Sequence, residues 1–204
     1  MNLVSPITTD CSKSDYRRQQ IRLAAAHCFK KHGFHGASML EISKLSGMSV
    51  GHIYHFYQNK DAIIADIVNQ DKERILALIA RLKQAQDREA ELIIQVEECI
   101  NDSMNNDESI LKLEIMAEAS RNSLVAQMVQ TADATLRQSL IEVISLMRQT
   151  NGYQDQPDDL NAKIDVLVSL FEGLRIRAFK NTYINADALK KHVIHTVRQL
   201  ILGK

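Results

Sequence analysis

From about Ser14 onward, apolar residues recur at three- and four-residue spacing, the period of helices that bury one face. In "DYRRQQIRLAAAHCFKKHG" the positions Ile21, Ala24, Ala25, Cys28 and Phe29 share a stripe, and Gly33 follows as a stop. A short linker, "FHGA", leads to "SMLEISKLSG", where Ser38 and Glu41 have the spacing of a capping box. That helix turns Leu40 or Met39, Ile42 and Leu45 inward, and Gly47 ends it. Ser49 then caps a third helix, "VGHIYHFY", with Ile53 inward. Asn59 caps a fourth, long one from Lys60 to about Ala85, carrying Ile63, Ile64, Ile67, Ile75, Leu78, Ile79 and Leu82.

The helical period continues through "EAELIIQVEECINDSM", "DESILKLEIMAEASR" and "SLVAQMVQTADATLRQSLIEVISLMRQT" to a polar break, "NGYQDQPDD". Two further helices, "LNAKIDVLVSLFEGLRIRAFKNTY" and "ADALKKHVIHTVRQLIL", end the sequence. With only two Pro (Pro6 and Pro157) and seven Gly, little interrupts helices. The expectation is an all-α fold of about nine helices: a three-helix head over residues 14–60, with a helix-turn-helix at about 38–57, joined by the long fourth helix to a bundle over 61–204. Residues 1–13 read as a frayed arm.

Charge changes the picture. Formal net charge is zero, but residues 1–60 hold eight Lys/Arg against three Asp/Glu, a balance of +5 that leaves −5 on the remainder. Five of the seven His lie there too. A basic head on an acidic trunk is the asymmetry expected when one part meets nucleic acid and the other does not. The cysteines, Cys11, Cys28 and Cys99, are odd in number and far apart, which suits a reducing cytoplasm and argues against a disulfide framework. The start lacks a signal-peptide pattern, and no window approaches eighteen consecutive apolar residues, so a cytoplasmic location with no membrane partner is expected.

Two short helices joined by "SGMS", after a basic helix, make a helix-turn-helix signature. Gly suits the turn because one residue there must take a positive φ. The run from Arg18 to about Val68 also resembles the N-terminal domain of the TetR (tetracycline-repressor) family of bacterial transcriptional regulators. The resemblance rests on "AAAHCF", the Gly33–Ser38 spacing, Ile42, "SGMSVGHIY" and "NKDAI", about a quarter of the chain. The family more often has Ala where Ser43 stands, Leu for Ile53, and a different aromatic order at His55, Phe56 and Tyr57. Which of those three reaches phosphate is left open.

Position on the helices assigns roles. A recognition helix enters the major groove by its first turn, so Ser49, Val50, Gly51 and His52 stand nearest base edges or flanking phosphates. Tyr54 and His55 suit phosphates a turn further on, Lys60 is expected to neutralise another, and Ser38 presents a hydroxyl and free N–H groups at the start of helix two. The expected partner is a double-stranded palindromic operator, bound by a homodimer. Leu167, Leu170, Phe171, Leu174, Val193, Val197, Leu200 and Ile201, on the last two helices, are the dimer candidates, and the resemblance implies a four-helix interface.

In the trunk, Met104 and Met116, with Met128 and Met147, offer adaptable lining for a small-molecule effector, and Phe171 can join them. Glu114 and Glu118, one turn apart, would favour a cationic one if they face inward. No catalytic triad, phosphate loop or dinucleotide fingerprint is readable, so neither an enzyme nor a cofactor is expected. His52 and His55, three apart, are the alternative: a metal site or enzymatic pair. No third ligand lies near them at suitable spacing, and a polar helix face is the simpler reading. The combined expectation is a ligand-responsive regulator, most simply a repressor.

Overall fold

The computed structural model describes residues 13–203; the N-terminal arm, including Pro6 and Cys11, lies outside the described residues. Those described form nine α-helices and no strand. In order they are α1 (Lys13–Gly36), α2 (Met39–Ser46), α3 (Val50–Phe56), α4 (Lys60–Gln84), α5 (Arg88–Met104), α6 (Asn106–Ala119), α7 (Ser123–Thr150), α8 (Pro157–Lys180) and α9 (Ala186–Val197). A single wider turn, Arg198–Leu202, continues α9. The chain divides into two compact units, and the division falls inside α4, between Ile67 and Val68, later than its first residue.

The first unit is the head. Its core is the α1 stripe Ile21, Ala24, Ala25, Cys28 and Phe29, closed by Phe34, Ala37, Ile42, Met48, Ile53 and Tyr57 and by Ile63 and Ile64 from the start of α4. Those α4 residues explain why the boundary lies beyond Lys60: two turns of α4 are needed to cover the head's apolar face. Gly33 takes φ 70° and breaks α1 where the sequence places a stop, with one more turn beyond it. Phe29 and Phe34, on either side of that break, hold their rings 5.4 Å apart.

The expected inward set of α2 is corrected. Only Ile42 is buried, whereas Leu40 and Leu45 are 55% and 56% exposed. An eight-residue helix makes barely two turns, so one residue can point squarely into the core while those two or three away fall to its flanks.

The second unit is the trunk. Its core joins Ile79 and Leu82 of α4, Leu92, Val96 and Ile100 of α5, Val143, Ile144 and Met147 of α7, Leu160, Ile164, Leu167 and Leu174 of α8, and Val193, Val197, Ile201 and Leu202 at the C-terminal end. The expected dimer residues all take part in this core. Leu167, Leu174, Val193, Val197 and Ile201 are buried within one chain, and Leu170, Phe171 and Leu200 pack against the same core. The outward face of α8 instead carries Val166 (53% exposed), Gly173 and Ile176 (46% exposed). Two apolar arcs on one helix look alike in sequence; only packing shows which one the chain itself covers.

An ion-pair network ties the end of α7 to the turn after α9. Arg148, 5% exposed at the end of α7, donates to Asp155 and to the Ile201 carbonyl (2.9 Å), and its guanidinium lies 4.5 Å from the Tyr153 ring centre. Lys163 adds a second pair to Asp155 at 3.0 Å. These partners hold the Asp155 carboxyl down at about 2, the hydrogen bond from Arg148 being the largest cause.

Candidate nucleic-acid interface

The helix-turn-helix is built from its caps. Ser38 accepts from the Glu41 backbone N–H at 3.2 Å, and its own N–H donates to the Glu41 carboxylate at 2.9 Å, completing the box. The bond from the Ser38 backbone N–H, and after it one from the Ser38 hydroxyl, hold the Glu41 carboxyl below its usual range. Gly47 turns the chain with φ 67°. Ser43 then explains its own presence: its hydroxyl donates to the Met48 carbonyl at 2.5 Å, stitching α2 to the turn, which Ala could not do. Ser49 caps α3 by accepting from the His52 N–H at 3.2 Å.

Ile53 is the only fully buried residue of α3; Val50 and Phe56 are half-buried and the other four residues are exposed. Ser49, Gly51, His52, Tyr54 and His55 are exposed, Tyr54 by 50%, and Val50 is half-buried. Ser38 is exposed at the start of α2. The head therefore displays a polar, hydrogen-bonding surface of hydroxyls, imidazoles and a phenol on a helix small enough to enter a groove.

The rings of His52 and His55 stand 6.5 Å apart at 22°, and each meets Phe56 edge-on, at 5.2 and 5.5 Å. Among the described residues no group of three or more His, Cys, Asp or Glu is arranged to hold a metal. The pair acts as the outer layer of an aromatic stack whose inner member, Phe56, lies 5.6 Å from the Arg18 guanidinium.

Tyr57 is turned away from that surface. It is 3% exposed, and its hydroxyl donates to Asp66, the carboxylate that also takes Arg22 at 3.1 Å. Burial first, then the bond to Asp66, pushes the phenol up to about 12. With Tyr57 engaged inside and Phe56 lacking a polar atom, His55 is the one of the three positioned to donate outward. Asp66 and its partners Arg22 and Tyr57 were missed in the sequence. Their signal is only a shared helical phase between α1 and α4, which is uninterpretable until the two helices are known to touch.

Lys60 makes contacts within the head that its place in the sequence does not foretell. Its ammonium donates to the carbonyls of Phe34 (2.5 Å) and Ala37 (2.7 Å), reaches that of His35 at 3.5 Å, and sits 4.6 Å from the centre of the Phe34 ring. The last turn of α1 ends in carbonyls without helical partners, and a cation there satisfies them and the helix dipole together. Lys60 thus braces the start of α4 against the end of α1 in this structure.

The expected effector residues separate in the same way. Glu118 is 1% exposed and accepts from Arg121 and Asn122, each at 3.1 Å, tying α6 to the start of α7. Met116 is 52% exposed, Met147 belongs to the core, Glu114 is half-buried, and Met104 and Phe171 pack at the core's edge. No helix among the described residues is long and apolar enough to cross a membrane.

A helical head presenting a capped, solvent-facing recognition helix defines a helix-turn-helix DNA-binding regulator. The comparisons with known proteins are specific. Residues 21–67 match the pattern of the family described as bacterial regulatory proteins, tetR family. The chain is 35% identical over 147 residues to the HTH-type transcriptional regulator UidR of Escherichia coli (strain K12), covering 71% of each chain. Salmonella enterica GusR has the same fold at a TM-score of 0.77, with 25% identity over 95% of this chain and 100% of that one. Bacillus subtilis FadR, solved in complex with stearoyl-CoA, shares the fold at 0.72, with 17% identity, 91% of this chain and 98% of that one. The chain belongs to the TetR family of bacterial transcriptional regulators.

Proposed function

We propose that this regulator is a one-component repressor: a homodimer binds a palindromic operator in the cytoplasm, and a small-molecule effector in the trunk releases it. The observation that carries the DNA-binding half is the outward side of α3, where Ser49, Gly51, His52, Tyr54 and His55 stand together on a helix fixed by caps at both of its neighbours. Val50 meets a thymine methyl, Gly51 lets the backbone approach, and Tyr54, His55 and Ser38 hold phosphates. Binding of stearoyl-CoA by the Bacillus subtilis relative of the same fold supports a ligand role for the trunk.

Homodimerisation is assigned to the outward stripe of α8, Val166, Gly173 and Ile176, since the inner stripe is covered by the chain's own core. Gly173 meets nothing within 4 Å of an added Cβ, so that surface is open to a second helix. An effector that favours the non-binding arrangement by about 3 kcal/mol lowers operator occupancy by roughly two orders of magnitude. The covalent route from trunk to head is α4, which contributes to both units.

The test is a gel shift with the DNA upstream of the protein's own gene, titrated between about 50 and 200 mM salt. We expect tight binding that falls steeply with salt, and at least a tenfold loss, roughly 1.4 kcal/mol, for Tyr54→Ala and for His55→Ala. Wild-type affinity in both variants would remove the assignment of α3.

A further inference from the structure

A helix as short as α3, which buries only Ile53, cannot fix its outward side chains by burial. Exposed side chains on such a surface ordinarily exchange rotamers within nanoseconds. His52 and His55 are exposed, yet neither stands alone. His52 meets the Phe56 ring at 5.2 Å and 78°, His55 meets it at 5.5 Å and 79°, and the two imidazoles lie within 22° of parallel. One ring at the last position of α3 thus bears on both, in the edge-on geometry that aromatic pairs favour.

What holds Phe56 comes from another helix. Arg18 of α1 is half-buried, and its guanidinium lies 5.6 Å from the centre of the Phe56 ring and 5.3 Å from that of Tyr57, within cation–π range of each. Tyr57 is itself fixed: it is 3% exposed, and its hydroxyl donates to Asp66, which also takes Arg22 at 3.1 Å. Arg18 therefore links a ring anchored inside the head to the ring that carries the imidazoles. The order His55, Phe56, Tyr57, in which this chain departs from its family, gains a reason. The ring without a polar atom lies beneath the imidazoles, and the one with a hydroxyl faces the interior.

We propose that Arg18 and Phe56 are positioning residues of the DNA reader: neither contacts the duplex, and together they hold His52 and His55 in the parallel arrangement in which both imidazoles meet it. The inference rests on the DNA-binding reading of α3 above. Without the Phe56 ring, each imidazole has to be ordered at the moment of binding, and that ordering weakens the complex. The Arg18 charge is engaged on two rings and not on a phosphate, so it adds nothing to counterion release.

The experiment is a double-mutant cycle in operator binding, read by gel shift of the full-length protein on the DNA upstream of its own gene, with each variant first checked for wild-type helix content. Phe56→Leu removes the edge-on contacts and keeps an apolar side chain; we expect about a five- to tenfold loss of affinity. In a His52→Ala/His55→Ala background the same change should cost less than about twofold, because nothing is left to position. Arg18→Met should weaken binding by a similar factor with the slope of log K against log salt unchanged. Arg18→Lys, which lacks the planar group that lies against both rings, should recover only part of the loss. A readout without DNA accompanies these: the carbon-bound ring protons of His52 and His55, assigned by NMR from the single His variants, should shift in Phe56→Leu and in Arg18→Met as the ring current of Phe56 is lost or moved.

The proposal is overturned if Phe56→Leu costs as much without the imidazoles as with them, or if the imidazole protons move in neither variant. It is also overturned if Arg18→Met lowers the salt slope by about 0.9, the mark of a lost phosphate contact. Should Phe56→Leu fail to fold, Arg18→Met carries the same cycle in the same His background. Operator binding by the wild type with an additive cycle removes this inference and leaves α3 as the DNA reader. Absence of operator binding by the wild type, with the imidazole protons shifting as expected, instead removes the regulator reading and the purpose assigned to the platform.

Discussion

Replacing Lys60 with Met removes an ammonium and keeps the length and apolar stem of the side chain. If Lys60 acts on phosphate, the loss appears in DNA binding: the slope of log K against log salt falls by about 0.9 and stability is unchanged. The structure leads to a different result. The ammonium's two short bonds go to the carbonyls of Phe34 and Ala37, residues that are 6% and 2% exposed. Water cannot readily replace the donor there, and hydrogen bonds to a charged group contribute about 1.5–3 kcal/mol. Loss of the contact with the Phe34 ring adds roughly 0.5–1 kcal/mol. A destabilisation of about 2–4 kcal/mol follows, a large part of the 5–15 kcal/mol typical of a folded domain. The chain has no Trp, so the assay is denaturant unfolding followed by far-ultraviolet circular dichroism, with the midpoint shift read at constant slope. Salt-dependent operator binding is measured beside it, under conditions where the variant is folded. Stability within about 0.5 kcal/mol of wild type, together with a reduced salt slope, would refute the brace and restore the phosphate contact.

Tyr57→Phe deletes the hydroxyl that Asp66 accepts; we expect about 1–2 kcal/mol of lost stability with no change in salt slope, because Arg22 still partners the carboxylate. Ile176→Asp places a charge on the outward stripe of α8 and should shift the protein from dimer to monomer in sedimentation while leaving its helix content unchanged. A monomer–dimer equilibrium equal to wild type would move the interface elsewhere. For Asp155 the folded carboxyl is held at about 2 against 3.8 ordinarily, so its stabilisation is complete above about pH 4 and is lost as the pH falls toward 2. Asp155→Asn should therefore unfold earlier than wild type at pH 7, with the difference in midpoint shrinking below pH 4.

How much was legible differs between the two units for a physical reason. In the head, signals are local: the capping box of Ser38 and Glu41, the positive φ of Gly47, the Ser49 cap and the buried Ile53 each depend on residues within one or two turns. Periodicity and cap chemistry report such things directly, so α1 to α4 and the outward side of α3 could be read from the chain. The same logic reached too far for Leu45, since a short helix has flanks that periodicity counts as core.

What the sequence by itself determined is the all-helical class, the order of the helices, the helix-turn-helix and the polarity of the face it shows, because all of these follow from spacing along one helix and from caps at its ends. Only the tertiary structure decided where Lys60, Tyr57, Glu118 and the two apolar arcs of α8 point. Lys60 meets carbonyls of residues 23 to 26 positions away, Tyr57 shares Asp66 with Arg22 across 44 positions, and the inner arc of α8 is closed by α5 and the C-terminal helix. An amphipathic pattern states that a residue is buried or charged, but not against what, and a cation is equally at home on a phosphate or on the end of a helix.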